Sequence, residues 1–237
     1  AIRVPDGGPA GLMVAAEALA RAVHEISGVE PQTVSGKPAP LGLEIVDPPS
    51  EAGVTPEFGR EGYTLDVTTN GALIRAAQPV GLFYGVQTLR QLMQMADGKL
   101  MAPCCSIRDW PAWGWRGVML DQGRNYQSME FLKQQIQIMA RYKLNVFHFH
   151  PTEYPGWRAE IKAFPNLKSE LYYTQDEMRE LVRFAAERFV TVLPEIEMPG
   201  HCTAFLDLMP HLKCTNDTMS MGNEETYSTL ETILREV

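Results

Sequence analysis

Three short stretches of the chain gather residues able to do chemistry. Asp121-Gln-Gly-Arg124 sets a carboxylate three residues before a guanidinium. The planar fork of Arg124 can donate two hydrogen bonds to adjacent hydroxyls of a sugar, or it can close a salt bridge with Asp121. His148-Phe-His150 carries two imidazoles one residue apart, with Glu153 close behind. Side chains two apart on a strand share a face, so both rings point the same way, as in barrel hydrolases that ligate zinc. His201 would then complete a zinc set, and the competing reading is a polar network that satisfies the imidazoles. Glu195-Ile-Glu197 sends two carboxylates to one side, just ahead of the Pro199-Gly200-His201 turn. Paired carboxylates divide into acid and base where their surroundings separate their pKa values. These two stand only about 6–7 Å apart along a strand, which suits ordering His201 better than flanking a scissile bond. Trp110, Trp113, Trp115 and Trp157 can stack on sugar faces or fill a core.

Each of these clusters follows a short apolar run: Arg116 to Asp121, Leu144 to His150 and Val190 to Glu197. Helical patterns alternate with the runs. Ser128 to Tyr142 has Ser128 as N-cap and Phe131, Ile136 and Met139 among its buried positions. Thr174 to about Arg188 opens with a Thr174/Glu177 capping box and runs through Met178, Leu181, Val182 and Ala185. Glu224 to Val237 is the third helix. The resulting βαβαβα order implies a parallel sheet with right-handed crossovers, either doubly wound or a (β/α) barrel, and polar residues at the strand C-termini are where a barrel enzyme keeps its site.

Upstream, Leu12, Ala16, Leu19, Val23 and Ile26 predict a helix over Pro9 to Ser27, stopped by Gly28. Leu41 to Val46 alternates as a strand and breaks at Pro48-Pro49. Tyr63, Leu65 and Val67 predict a second strand, joined by a type I′ turn at Asn70-Gly71 to Ala72-Leu-Ile. Leu82, Val86, Leu89 and Met93 mark a helix over about Val80 to Met95. Residues 1–108 therefore read as a small α+β domain, and 109–237 as the first three βα units of a barrel. A closed eight-stranded barrel takes roughly 250 residues, and half of one would leave parallel edges open. The expectation is a portion of a longer protein.

With 237 residues, 45% hydrophobic and 21% charged, the chain has the balance of a folded protein. A net charge of −8 without any Lys/Arg block argues against nucleic acid or an anionic membrane as partner. No apolar run reaches the roughly 18–20 residues of a membrane span, and the opening AIRVPDGG lacks a signal-peptide pattern. Of the four cysteines, Cys104 and Cys105 are vicinal, and Cys202 and Cys214 either pair or stay as free thiols.

The motifs taken together resemble a known family. Ile107-Arg-Asp-Trp-Pro-Ala-Trp-Gly-Trp-Arg-Gly-Val-Met-Leu-Asp, Met139-Ala-Arg-Tyr-Lys-Leu-Asn-Val-Phe-His-Phe-His, Gly156-Trp-Arg, Tyr173-Thr-Gln-Asp-Glu and Pro194-Glu-Ile-Glu-Met-Pro-Gly-His resemble, in order and spacing, glycoside hydrolase family 20, the β-N-acetylhexosaminidases. Val80-Gly-Leu-Phe-Tyr-Gly-Val-Gln-Thr-Leu-Arg-Gln-Leu is similar to the end of the small domain that precedes that family's barrel.

The resemblance implies a small α+β domain followed by the first half of a (β/α)8 barrel. It implies removal of terminal N-acetylhexosamine from glycans with retention, the substrate's acetamido oxygen acting as nucleophile, an exception to the two-carboxylate scheme. The family's Asp-Glu catalytic pair has no counterpart here and is expected beyond Val237, so the chain alone is expected to be inactive, with no catalytic residue of its own. Arg124 matches the arginine that holds the outer sugar hydroxyls, and His201 the histidine of the network around the acid/base. Glu153 stands where the family usually has the first Asp of an Asp-Asp pair, Tyr154 replaces the second, and Glu197 replaces the Asp of Pro-Glu-x-Asp. The expected site is thus Arg124, His150, Glu153, Glu197 and His201, with no metal or cofactor. The expected partners are a glycan ending in N-acetylhexosamine and the missing half of the barrel, in a periplasmic or extracellular setting. A catalytically silent glycan-binding module and a zinc hydrolase using His148, His150 and His201 are the rival expectations.

Overall fold

The structure is a computed structural model that describes residues 1–46 and 58–237. The break expected at Pro48-Pro49 lies outside the described residues. The chain divides into two compact units, Ala1–Gly114 with Arg141–Lys143, and Trp115–Ala140 with Leu144–Val237.

In the first unit the elements run β1 (Ile2–Val4), α1 (Ala10–Ser27), β2 (Thr33–Ser35), β3 (Leu41–Ile45), β4 (Tyr63–Thr68), β5 (Gly71–Ala76), α2 (Pro79–Leu92), β6 (Gln94–Ala96), β7 (Lys99–Met101) and β8 (Cys105–Asp109). Among the described residues six strands form one mixed sheet in the order β2-β1-β3-β5-β4-β8. Alternation along β5 buries Ala72, Ile74 and Ala76, and α1 and α2 supply Leu12, Leu19, Leu82 and Val86 to the core. Gly28 ends α1 in the left-handed conformation, its N–H donating to the His24 carbonyl.

Two expectations are corrected here. The β4–β5 hairpin forms with Thr68 opposite Gly71, so its loop residues are Thr69 and Asn70, and Asn70 is not among the positive-φ residues. Gly71 is required instead by crowding, because a Cβ there would sit 1.9 Å from the Pro40 carbonyl oxygen at a φ of +138°. The positive-φ pair lies at Asp97-Gly98, which joins β6 to β7. That hairpin also explains why α2 stops at Leu92 rather than Met95: Met93 is already extended, and the chain turns back at an Asp-Gly step.

The second unit contains β9 (Gly117–Asp121), all but the last residue of α3 (Met129–Arg141), β10 (Val146–His150), β11 (Thr152–Glu153), β12 (Gly156–Trp157), α4 (Gln175–Ala186), β13 (Thr191–Pro194), α5 (Thr203–Leu208) and α6 (Glu224–Leu234). The strands β9, β10 and β13 are parallel with β10 central, the start of a (β/α) barrel. The expected third strand is shorter than its apolar run, and Glu195 to Glu197 continue past its end as irregular chain. Ser128 accepts a hydrogen bond from the Phe131 N–H at the start of α3, and Thr174 and Glu177 form the capping box of α4. The buried stripe of α3 is Leu132, Ile136, Met139 and Ala140, which turns Phe131, one residue and about 100° away, out to solvent. Val182 is exposed for the same reason beside buried Leu181 on α4.

A separate core lies beneath the chain that follows β13. Trp157, Ile161, Leu167, Cys202, Phe205, Leu212, Leu230 and Ile233 pack together and hold the Pro199–His201 turn from below. Trp157 is therefore core, whereas Trp110, Trp113 and Trp115 are exposed. Cys202 is a buried free thiol, raised by desolvation to about 11, and Cys214 is an exposed one. No helix among the described residues is long and apolar enough to cross a membrane.

Candidate active site

Parallel register sets the site. Pairing of β9 with β10 places Asp121 directly beside His150, both at the C-terminal ends of their strands. The chain beyond β9 then turns sharply. The N–H groups of Gln122 and Gly123 both donate to the His150 carbonyl (2.9 and 3.0 Å), and the Gln122 side-chain oxygen accepts from the His150 N–H at 3.0 Å. This turn delivers Arg124 to the rim, where its side chain is half exposed. Asp121 fixes it by accepting from the Arg124 N–H at 2.9 Å and from Nη1 at 2.5 Å, while Nη2 lies 3.0 Å from Glu153. Burial pushes the Asp121 carboxyl up, but the hydrogen bonds from Arg124 outweigh it and hold the group below the ordinary carboxylate range.

Glu153, 2% exposed, is the hub. Its Oε1 meets Arg124, the Nδ1 of His201 and, at 3.0 Å, the N–H of Tyr154. The other oxygen, Oε2, faces His150 Nε2 at 3.5 Å. His201 reaches this position from the Pro-Gly-His turn with a φ of +52°, an uncommon conformation for a residue with a side chain. Gly123 lets the hub approach, since a Cβ on it would sit 2.5 Å from the Glu153 Cβ.

The other carboxylates straddle His150. Glu195 Oε2 lies 2.5 Å from His148 Nε2 and 3.4 Å from His150 Nδ1, and Glu197 Oε1 lies 3.2 Å from His150 Nε2. Thr152 holds Glu197 in place, its hydroxyl accepting the Glu197 N–H at 2.8 Å. Burial, reinforced by repulsion from Glu195 and Glu153, pushes the Glu197 carboxyl above its ordinary value. His150 is 5% exposed, and neither ring nitrogen makes a hydrogen bond of good geometry.

All five residues expected from the sequence, Arg124, His150, Glu153, Glu197 and His201, stand in this one cluster. The histidine set of the zinc hydrolase reading does not converge: His148 engages Glu195, His201 engages Glu153, and His150 alone of the three faces Glu197. The group whose donor atoms could hold a cation is His150, Glu153 and Glu197. Gln122, Gly123 and Thr152 are site residues that sequence reasoning missed. Gly123 had a visible signal, a glycine just before the key arginine. Gln122 and Thr152 had none, because their roles arise from register. A cavity of about 960 Å³ in the first unit, lined by apolar side chains such as Val23, Leu41, Leu89 and Met93, gathers no comparable set of chemical groups.

Comparison with known proteins agrees with this fold. Residues 113–237 match the catalytic domain of glycosyl hydrolase family 20, and residues 1–110 match domain 2 of the same family. The chain belongs to glycosyl hydrolase family 20. It is 41% identical over 174 residues to a beta-hexosaminidase of Porphyromonas gingivalis, covering 65% of this chain and 22% of that protein. It is 37% identical over 175 residues to one of Akkermansia muciniphila, covering 67% and 36%. The N-acetyl-beta-hexosaminidase of Streptomyces plicatus superposes with a TM-score of 0.87 at 30% identity, over 99% of this chain and 51% of that one. A Vibrio harveyi exo beta-N-acetylglucosaminidase, solved with N-acetylglucosamine, gives a TM-score of 0.83 at 27% identity over 99% and 40%. The chain thus spans about half, or less, of the length of these relatives.

Proposed function

We propose that the protein carrying this chain is a β-N-acetylhexosaminidase that removes terminal N-acetylhexosamine from glycans with retention. The observation that carries the reading is the Arg124–Glu153–His201 cluster at the C-terminal rim of a family 20 barrel. In this reading the Arg124 fork, aimed by Asp121 and Glu153, grips two outer hydroxyls of the terminal sugar. A carboxylate-fixed guanidinium binds without first having to be ordered. Glu153 orients His201, and that imidazole tunes the acid/base, which belongs to an Asp-Glu pair beyond Val237. The substrate's acetamido oxygen is the nucleophile, so no metal or cofactor takes part. Residues 1–108 are the supporting domain and 109–237 the first three units of the barrel, whose remaining strands cover β9 and β13.

Glu153 and Glu197 stand where aspartates are usual in the family. The test is turnover of a chromogenic β-N-acetylglucosaminide and its galacto epimer by the full-length gene product. Hydrolysis abolished by substitution of the Asp-Glu pair supports the reading. Glycan binding without turnover would replace it with a silent binding module.

A further inference from the structure

We propose that His150 Nε2, Glu153 Oε2 and Glu197 Oε1 form a binding site for a divalent cation of the Zn2+ class, which would regulate the rim rather than take part in hydrolysis. One donor atom from each of the three residues lies within 4.8 Å of the other two. Zinc bonds of about 2.0–2.2 Å place tetrahedral ligand atoms roughly 3.3–3.6 Å apart. The two separations from His150 Nε2 are 3.2 Å to Glu197 and 3.5 Å to Glu153. The Glu153 donor is also directed by its other contacts. Glu153 Oε1 is taken by Arg124, His201 and the Tyr154 N–H, which leaves Oε2 to face His150.

His150 is the independent pointer. It is almost wholly buried, and its Nε2, aimed between two carboxylates, has no hydrogen-bond partner. On the far side of the ring Glu195 Oε2 lies 3.4 Å from Nδ1, where a metal-bound imidazole usually gives its remaining proton to a carboxylate. One imidazole and two carboxylates form a borderline donor set suited to Zn2+, with water completing the coordination. A bound cation would neutralise Glu153, the carboxylate that aims both Arg124 and His201, and occupancy should therefore weaken sugar binding.

The test is calorimetric titration of Zn2+ into the whole, chelator-treated chain, with Co2+ as a spectroscopic probe. The expected result is one equivalent bound and the visible absorption of four-coordinate Co2+. Glu197→Gln and His150→Gln are each expected to weaken binding more than about tenfold. Glu225→Gln, at the exposed His211–Glu225 pair, leaves it unchanged. Circular dichroism checks folding, and if His150→Gln does not fold, the half-buried Glu197→Gln decides. No saturable binding, or binding that Glu197→Gln leaves intact, an adventitious ion only, overturns the proposal. Because the readout is binding and not turnover, its failure is separate from any failure of the glycosidase reading.

Discussion

Arg124 and its two carboxylates show why geometry matters beyond charge. Lysine at this position would keep the charge and lose the fork, so Arg124→Lys in the full-length protein should weaken N-acetylglucosamine binding by about tenfold or more, given the strength of charge-assisted hydrogen bonds. Calorimetry measures it, and unchanged affinity would remove Arg124 from sugar recognition. Asp121 and Glu197 carry opposite pH signatures. The Asp121 carboxyl is held low, so it stabilises the fold above the ordinary value of 3.8, and that contribution is lost as pH falls through its lowered value. The Glu197 carboxyl is held high, so its ionisation opposes folding. The fold has the full benefit of a neutral Glu197 below the ordinary 4.5 and loses it as pH rises through the raised value. Glu197→Gln should accordingly raise Tm at pH 7, and Asp121→Asn should lower it. Thermal melts from pH 7 down to pH 4 test both, with the Glu197→Gln gain shrinking as the wild-type carboxyl protonates.

At the scale of elements, local signals were legible where one residue type does one job. The Thr174/Glu177 box and Gly28 are examples, because capping chemistry is written within four residues. Thr174→Ala should cost about 1 kcal/mol, measurable by urea denaturation, and no change in midpoint would count against the cap. The Asn70-Gly71 step carries the same type I′ signal as Asp97-Gly98, yet only the latter forms a turn with two positive-φ residues. A helical hydrophobic period carried across Met93 and Met95 masked the second step. Phe131 and Val182 show the same weakness, since periodicity marks a face without fixing its width. The turn after β9 offers a sharper test. Gly123→Ala places a methyl group against Glu153, and it should lower sugar affinity in a protein whose circular dichroism is unchanged. Normal affinity would show that the close approach is not required.

The family assignment of the whole molecule was legible because its motifs are long, ordered and widely spaced from Val80 to His201. The parallel register that sets Asp121 beside His150, and the roles of Gln122 and Thr152 that follow from it, were not, because pairing partners leave no mark on either strand alone. In the proposed enzyme the acid/base comes from strands beyond Val237, and Arg124, Glu153 and His201 serve it from the rim. By itself the 237-residue chain should not hydrolyse an N-acetylhexosaminide, and turnover by a homogeneous preparation would contradict that expectation. The most direct measurement is hydrolysis of a chromogenic β-N-acetylglucosaminide by the full-length gene product beside its Glu153→Ala variant. The account requires turnover by the former and a severe loss of kcat by the folded latter; a full-length protein without turnover, or a variant as fast as wild type, would contradict it.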